Sequence, residues 1–204
     1  MFLINEVLVF SPGRRQEALG RLAWIHGLMA GHAGFNRAIV AKYLGAATSH
    51  TVLRLWQDEA AYRTFRETPD GNYGRGRPEG LYTNERVVPQ WNSVIEGSGA
   101  AGGAFLVKVQ WELAEDAWKP FLDYEKRTAE TARGHGLVGA DTFRAREGNQ
   151  ALTIARFASR DGFESLIDSP ELSAARLALP DGAKHVLTQC YEVVSEVGPR
   201  EERS

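Results

Sequence analysis

Apolar and polar positions along this chain fall into two repeating periods. From Phe2 to Phe10 the residues are Val, Leu, Ile and Phe except for Asn5 and Glu6, which predicts a strand. Between Arg14 and Ala30 the apolar residues Ala18, Leu22, Ile25 and Met29 recur at helical spacing, and Gly31 ends the run. Ser11-Pro12 ahead of it has the form of a helix start, with Ser as cap and Pro at the first helical position. Strands are predicted over Phe35 to Leu44 and His50 to Trp56. Asp58 caps a short helix that buries Tyr62 and Phe65, and Arg86 to Glu96 forms a fourth strand. The order is β-α-β-β-α-β, a split ferredoxin-like unit.

The pattern then recurs. Phe105 to Trp111 is a strand and Glu115 to Arg133 a helix, with Pro120 in its first turn. Leu137 to Arg146 and Gln150 to Phe157 are strands. Ser159 caps a helix burying Phe163, Leu166 and Ile167, and Ser169-Pro170 starts a further helical turn. His185 to Val197 is the last strand. Gly31-His32 matches Gly134-His135, Trp56-Gln57-Asp58 matches Phe157-Ala158-Ser159, and Asn5 matches Lys108. The expected domains are 1–96 and 104–197, with a Gly-rich linker over 97–103 and a polar tail over 198–204.

That linker, Gly97-Ser98-Gly99-Ala100-Ala101-Gly102-Gly103, also spells G-x-G-x-x-G. A dinucleotide loop needs a helix to open after the glycines, and a strand follows here instead, so the segment reads as a connector. The strands carry apolar residues on both sides, Leu3, Val7 and Val9 on one and Ile4, Leu8 and Phe10 on the other. A sheet covered by helices on one face alone would alternate apolar with polar, so a second sheet is expected on the bare face. The expected fold class is α+β: two ferredoxin-like units packed sheet to sheet as an intramolecular barrel.

The 204 residues are 43% hydrophobic and 25% charged, with a net charge of -2 and a single cysteine. No basic excess marks a nucleic-acid partner. No run approaches a membrane span, no signal peptide is evident, and Cys190 has no internal disulfide partner. A cytoplasmic location is expected. The five histidines show no metal-ligand spacing, so no metal is expected. No hydrolase elbow, P-loop or paired-cysteine motif is present.

The Phe2–Phe10 strand with Asn5, the third strand running into Trp56-Gln57-Asp58-Glu59-Ala60-Ala61-Tyr62-Arg63-Thr64-Phe65, and the long last strand resemble the antibiotic biosynthesis monooxygenase (ABM) domain of the dimeric α+β barrel superfamily, as a fused tandem pair. The resemblance covers essentially the whole chain. It implies a cofactor-independent monooxygenase acting on an aromatic, polyketide-like or quinol substrate in an apolar pocket between sheet and helices. There, a base removes a proton from the substrate and donors hold the developing anion. A non-catalytic small-molecule-binding or stress-related module on the same fold remains the reading from another class. Haem degradation, also found in the family, needs a histidine on or just after the second helix, and neither Thr68 to Gly80 nor Ser169 to Pro180 holds one.

On this resemblance the candidate catalytic residues are Asn5, Trp56 and His32. The candidate substrate-binding residues are Trp24, Tyr62, Phe65, Arg54 and Trp91. Each has a structural explanation too: Asn5 bonding backbone, the tryptophans as core, His32 favoured at a helix end, and Arg54 paired with a buried carboxylate such as Glu6. The segment from Pro69 to Gly80, with Arg75 and Arg77, is read as a loop long enough to form a lid. A small-molecule ligand is the expected partner, with no cofactor, and the chain is expected as a monomer with an internal pair or as a homodimer.

Overall fold

A computed structural model describes residues 1–72, 78–83, 90–93 and 102–200. Arg75, Arg77, most of the fourth predicted strand and most of the Gly-rich connector lie outside the described residues.

The described chain forms two compact units, Met1–Gln90 with Val193–Ser204, and Trp91–Glu192. In the first unit, β1 (Phe2–Val9) pairs antiparallel with β3 (Ser49–Trp56), which pairs antiparallel with β2 (Phe35–Tyr43). The end of β8 (Ala183–Val197) lies beside β2. Its Glu196 makes an ion pair with Arg37 of β2 at 3.1 Å. Helices α1 (Arg15–Met29) and α2 (Glu59–Glu67) belong to this unit.

The second unit has the strand order β8–β5–β7–β6–β4, built on β5 (Phe105–Leu113), β6 (Leu137–Ala145), β7 (Gln150–Phe157) and the short β4 (Gln90–Ser93). Its helices are α3 (Trp118–Arg133), α4 (Arg160–Ile167) and α5 (Pro170–Leu177). Of β8, Ala183–Glu192 belong to the second unit and Val193–Val197 to the first. The fold class is α+β, with two ferredoxin-like units of the dimeric α+β barrel type.

Local chemistry accounts for most of these elements. Asp58 accepts the Ala61 N–H at 2.8 Å, Ser159 the Gly162 N–H at 3.2 Å, and Ser169 the Leu172 N–H at 3.1 Å with Pro170 next in the chain. The start of α1 differs from expectation. Gly13 adopts φ 76°, so Ser11-Pro12-Gly13 is a turn and the helix opens after Arg14 without a side-chain cap. The Ser11 hydroxyl instead donates to the Gly80 carbonyl at 2.6 Å.

Side-chain parity sorts the strands by face. Phe2, Ile4, Leu8 and Phe10 join Ala18, Leu22, Ile25 and Met29 of α1 in the helix-facing layer of the first unit, and Leu3 and Asn5 lie on the other face. In the second unit Phe105, Val107, Trp111 and Leu113 play the same part beneath α3, α4 and α5.

Candidate functional site

Arg54 lies opposite Ile4 on the helix-facing side of the first sheet, and Glu6 is the next residue of β1 on that side. The Arg54 Nη1 donates to Glu6 Oε2, and its Nε donates to His26 Nε2 from α1 at 3.3 Å. All three side chains are almost fully buried. Accepting at Nε2 requires a neutral imidazole with its proton on Nδ1. Burial, and then the neighbouring Arg54 charge, lowers the His26 pKa to about 2, so the ring is neutral throughout the ordinary pH range. The expected ion pair between Arg54 and Glu6 is thus formed, with a histidine as its third member.

Two residues further along β3, on the same side, the Trp56 ring packs edge-on to Phe35 at 5.3 Å, stacks on Phe65 at 5.1 Å and lies 5.8 Å from Tyr62. Tyr62 and Phe65 sit three apart on α2 and so share one of its faces. Gly34 lets α2 come this close. It has φ 78°, and a Cβ there would lie 2.5 Å from the Ala61 Cβ. His32, just past the end of α1, meets Phe65 edge-on at 4.9 Å, and its Nε2 is 3.0 Å from Asp70 Oδ2. The buried Trp56 Nε1–H has no hydrogen-bond partner among the described residues.

Trp56, Tyr62, Phe65 and His32 are therefore brought together, with Arg54 next along the same strand face. Asn5 is not with them. It faces the other side of the sheet, where Thr51 Oγ1 donates to its Oδ1 at 3.0 Å. Trp24 is 49% exposed on α1, with the Arg21 guanidinium 4.4 Å above its ring, so it is a surface residue rather than a wall of this cluster. Trp91 is buried on β4 in the second unit, opposite Ala145.

The second unit buries a different polar group. Glu125 of α3 accepts at Oε2 from Thr142 Oγ1 at 3.0 Å and from Thr153 Oγ1. Thr153 Oγ1 in turn accepts the Trp111 indole N–H at 3.1 Å. Burial pushes the Glu125 pKa up, and the two hydroxyls pull partly against that shift. On the other face of this sheet Lys108, at the position matching Asn5, is buried. Its Nζ is 5.3 Å from the Tyr191 ring, and desolvation lowers its pKa to about 8.

Sequence reasoning passed over His26 and Glu125. Both were detectable as polar residues on the buried stripes of otherwise apolar helix faces. Among the described residues, no group of three or more His, Cys, Asp or Glu is placed to hold a metal ion.

No family model and no curated protein matches this sequence. Solved structures do. A candidate monooxygenase from Lactobacillus acidophilus superposes with a TM-score of 0.74 at 9% identity, over 97% of this chain and 95% of that one. An anthrone oxidase-like protein gives 0.64 at 14% identity, over 98% and 94%. A heme-degrading enzyme from Listeria monocytogenes gives 0.55 at 12% identity, over 94% and 99%. At these identities the likeness is one of fold. No helix of the described residues is long and apolar enough to cross a membrane.

Proposed function

We propose that this chain, whose fold is that of the ABM-type dimeric α+β barrels, is a monooxygenase that oxidises an aromatic, polyketide-like or quinol substrate in the first unit without metal or flavin. The observation that carries the reading is the Trp56 N–H, a buried donor without a partner among the described residues in an otherwise aromatic layer. Leaving such a donor unsatisfied costs about 1–3 kcal/mol, and a substrate oxygen would satisfy it. Phe35, Tyr62 and Phe65 supply flat apolar surface for a ring system.

The roles follow from the geometry. His32, oriented by Asp70, takes the substrate proton. Arg54, held by Glu6 and His26, places a fixed positive group beside the anion that results. For a ring methylene, one methylene and one dioxygen molecule become one carbonyl and one water. Two C–H bonds and the O–O bond break, one oxygen atom enters the substrate as the carbonyl oxygen, and the other leaves as water. The substrate supplies all the electrons. The two units are read as a tandem repeat, with domains at 1–96 and 104–197 about a connector at 97–103. The protein is read as cytoplasmic, with Cys190 free. Haem is left out of the proposal because 68–80 supplies no histidine.

Oxygen uptake by the full chain, in metal-free buffer, against a panel of anthrones and quinols tests the reading. Turnover is expected, and Trp56→Phe, which keeps an aromatic ring but deletes the N–H, should lower kcat by roughly 10²-fold. Saturable binding without oxygen uptake would make the protein a binding module. Undiminished turnover in the Trp56→Phe protein would move the site elsewhere.

A further inference from the structure

Helix α1 does not end on a regular turn. Gly31 N donates to Leu28 O at 3.3 Å and His32 N to Met29 O at 3.0 Å, three residues back rather than four. The Gly27 carbonyl thereby loses the Gly31 N–H that a regular turn would give it. Arg200 supplies a replacement from the far end of the chain. Its Nη2 donates to Gly27 O at 3.0 Å, and its backbone N–H donates to Ala30 O at 2.9 Å. A guanidinium at a helix C-terminus is also favoured by the dipole.

The chain reaches this place along the aromatic layer. Glu196 near the end of β8 is paired with Arg37, and Val197 packs against the cluster that holds Trp56 and Phe65. Gly198 and Pro199 then lead to Arg200, within the same unit. A Cβ at Gly31 would lie 3.8 Å from the Arg200 Nη1, so the guanidinium lies beside the residue that precedes His32. Counting from Gln90 and Gln189, which match in the repeat, Ala101 stands where Arg200 does. The arginine is therefore not a requirement of the repeated frame.

We propose that Arg200 is a positioning residue for His32: its clasp on the end of α1 sets where the imidazole stands against Asp70 and Phe65. The inference rests on the reading of His32 as the base. The His32 Nε2–H donates to Asp70 Oδ2 at 3.0 Å, so Nδ1 is the nitrogen left to take a proton. Phe65 of α2, edge-on at 4.9 Å, and Asp70 just after that helix hold the ring from one side. The end of α1 holds its backbone from the other. Freed from Arg200, that end shifts and carries Nδ1 with it, while Trp56 and its aromatic neighbours stay packed. A small misplacement of a reacting group slows the chemical step more than it weakens binding.

The test uses the full chain. In proton–carbon NMR, with the ring signals assigned through His32→Gln, Arg200→Ala should shift the His32 resonances and leave those of His50 and His135 in place. Arg200→Lys, which keeps a donor for the Gly27 carbonyl, should bring them back. On a substrate that the chain oxidises, Arg200→Ala should lower kcat about fivefold with KM unchanged, and Arg200→Lys should recover most of the loss. In a His32→Gln background the same change should lower kcat no further.

Equal losses in both backgrounds, an effect confined to KM, or unmoved His32 resonances would overturn the proposal. If no substrate is oxidised, the reading of the Trp56 site falls, and the resonances decide the clasp by themselves.

Discussion

The two units solve the same packing problem with opposite choices of what to bury. Where the first has Leu8, Leu22, Val40 and Val52, the second has Trp111, Glu125, Thr142 and Thr153. The exchange runs the other way a turn along the helix. The Glu6, Arg54 and His26 group of the first unit matches Val109, Ala155 and Ala129 of the second, and Val109 and Ala155 there pack against an apolar cluster. Each unit thus shows that the other's polar group is not needed to form the fold. A buried ion pair is weak evidence for stability, and a polar group retained where an apolar one packs as well points to a task other than folding.

The comparison is broken most sharply through Arg54. Arg54→Leu removes the guanidinium that donates to the buried Glu6 carboxylate and should destabilise the protein by about 3–5 kcal/mol in denaturant unfolding. Converting the whole group to the second unit's residues, Glu6→Val with Arg54→Ala and His26→Ala, should cost less than the single change. A triple variant worse than Arg54→Leu would mean that the group stabilises the fold outright.

The reverse conversion in the second unit should be favourable. Glu125→Leu, Thr142→Val and Thr153→Val together restore the pattern of the first unit and remove a desolvated carboxyl. A gain of about 1–4 kcal/mol is expected in denaturant unfolding. Destabilisation on this change would show that the frame around α3 has diverged too far for the two units to be compared by position.

How much of this was legible beforehand depends on the physical signal involved. The elements followed from alternation, helical spacing and caps such as Asp58, Ser159 and Ser169, because those signals are local. The Arg54–Glu6 pair was legible because a buried arginine requires a carboxylate nearby. The grouping of Asn5 with Trp56 was not, because strand register decides which side chains share a face. With Phe2 opposite Trp56, Asn5 falls on the opposite face. Trp24 sits one residue from Ile25, about 100° around the helix and off its buried stripe, so its exposure could have been read from the spacing. The turn at Ser11-Pro12 escaped because Gly13 takes a left-handed φ, which the letters permit but do not announce.

The two buried groups also respond to acid with opposite sign. His26 is held neutral, with its pKa about 2 when folded against an ordinary value of 6.5. Between those values the unfolded chain binds more protons, so the contribution of His26 to stability is complete above pH 6.5 and is lost as pH falls below it. The limiting slope is about 1.4 kcal/mol per pH unit. Glu125 has a raised pKa, so its contribution is complete below the ordinary carboxyl value of 4.5 and declines as pH rises above it. Through His26, urea unfolding from pH 7 to pH 5 should lose stability in the wild type, with Glu125 offsetting part of the loss. The loss should flatten in His26→Gln, which keeps an acceptor for Arg54 but does not titrate. An unchanged slope in that variant would place the acid response in other groups.

The smallest effects belong to features that both units share, and they calibrate the larger ones. Asp58 and Ser159 cap α2 and α4 at matching positions, each accepting the N–H three residues on. Replacing either with Ala removes one side-chain bond to an otherwise unsatisfied helix N–H and should cost about 1 kcal/mol. Asp58→Ala should cost slightly more, because its carboxylate also favours the positive end of the helix dipole, and added salt should shrink that excess. If the two costs instead differed by several kcal/mol, the units would not unfold as equivalent frames. The contrast between their buried groups would then reflect unequal stability of the units rather than the chemistry placed inside them.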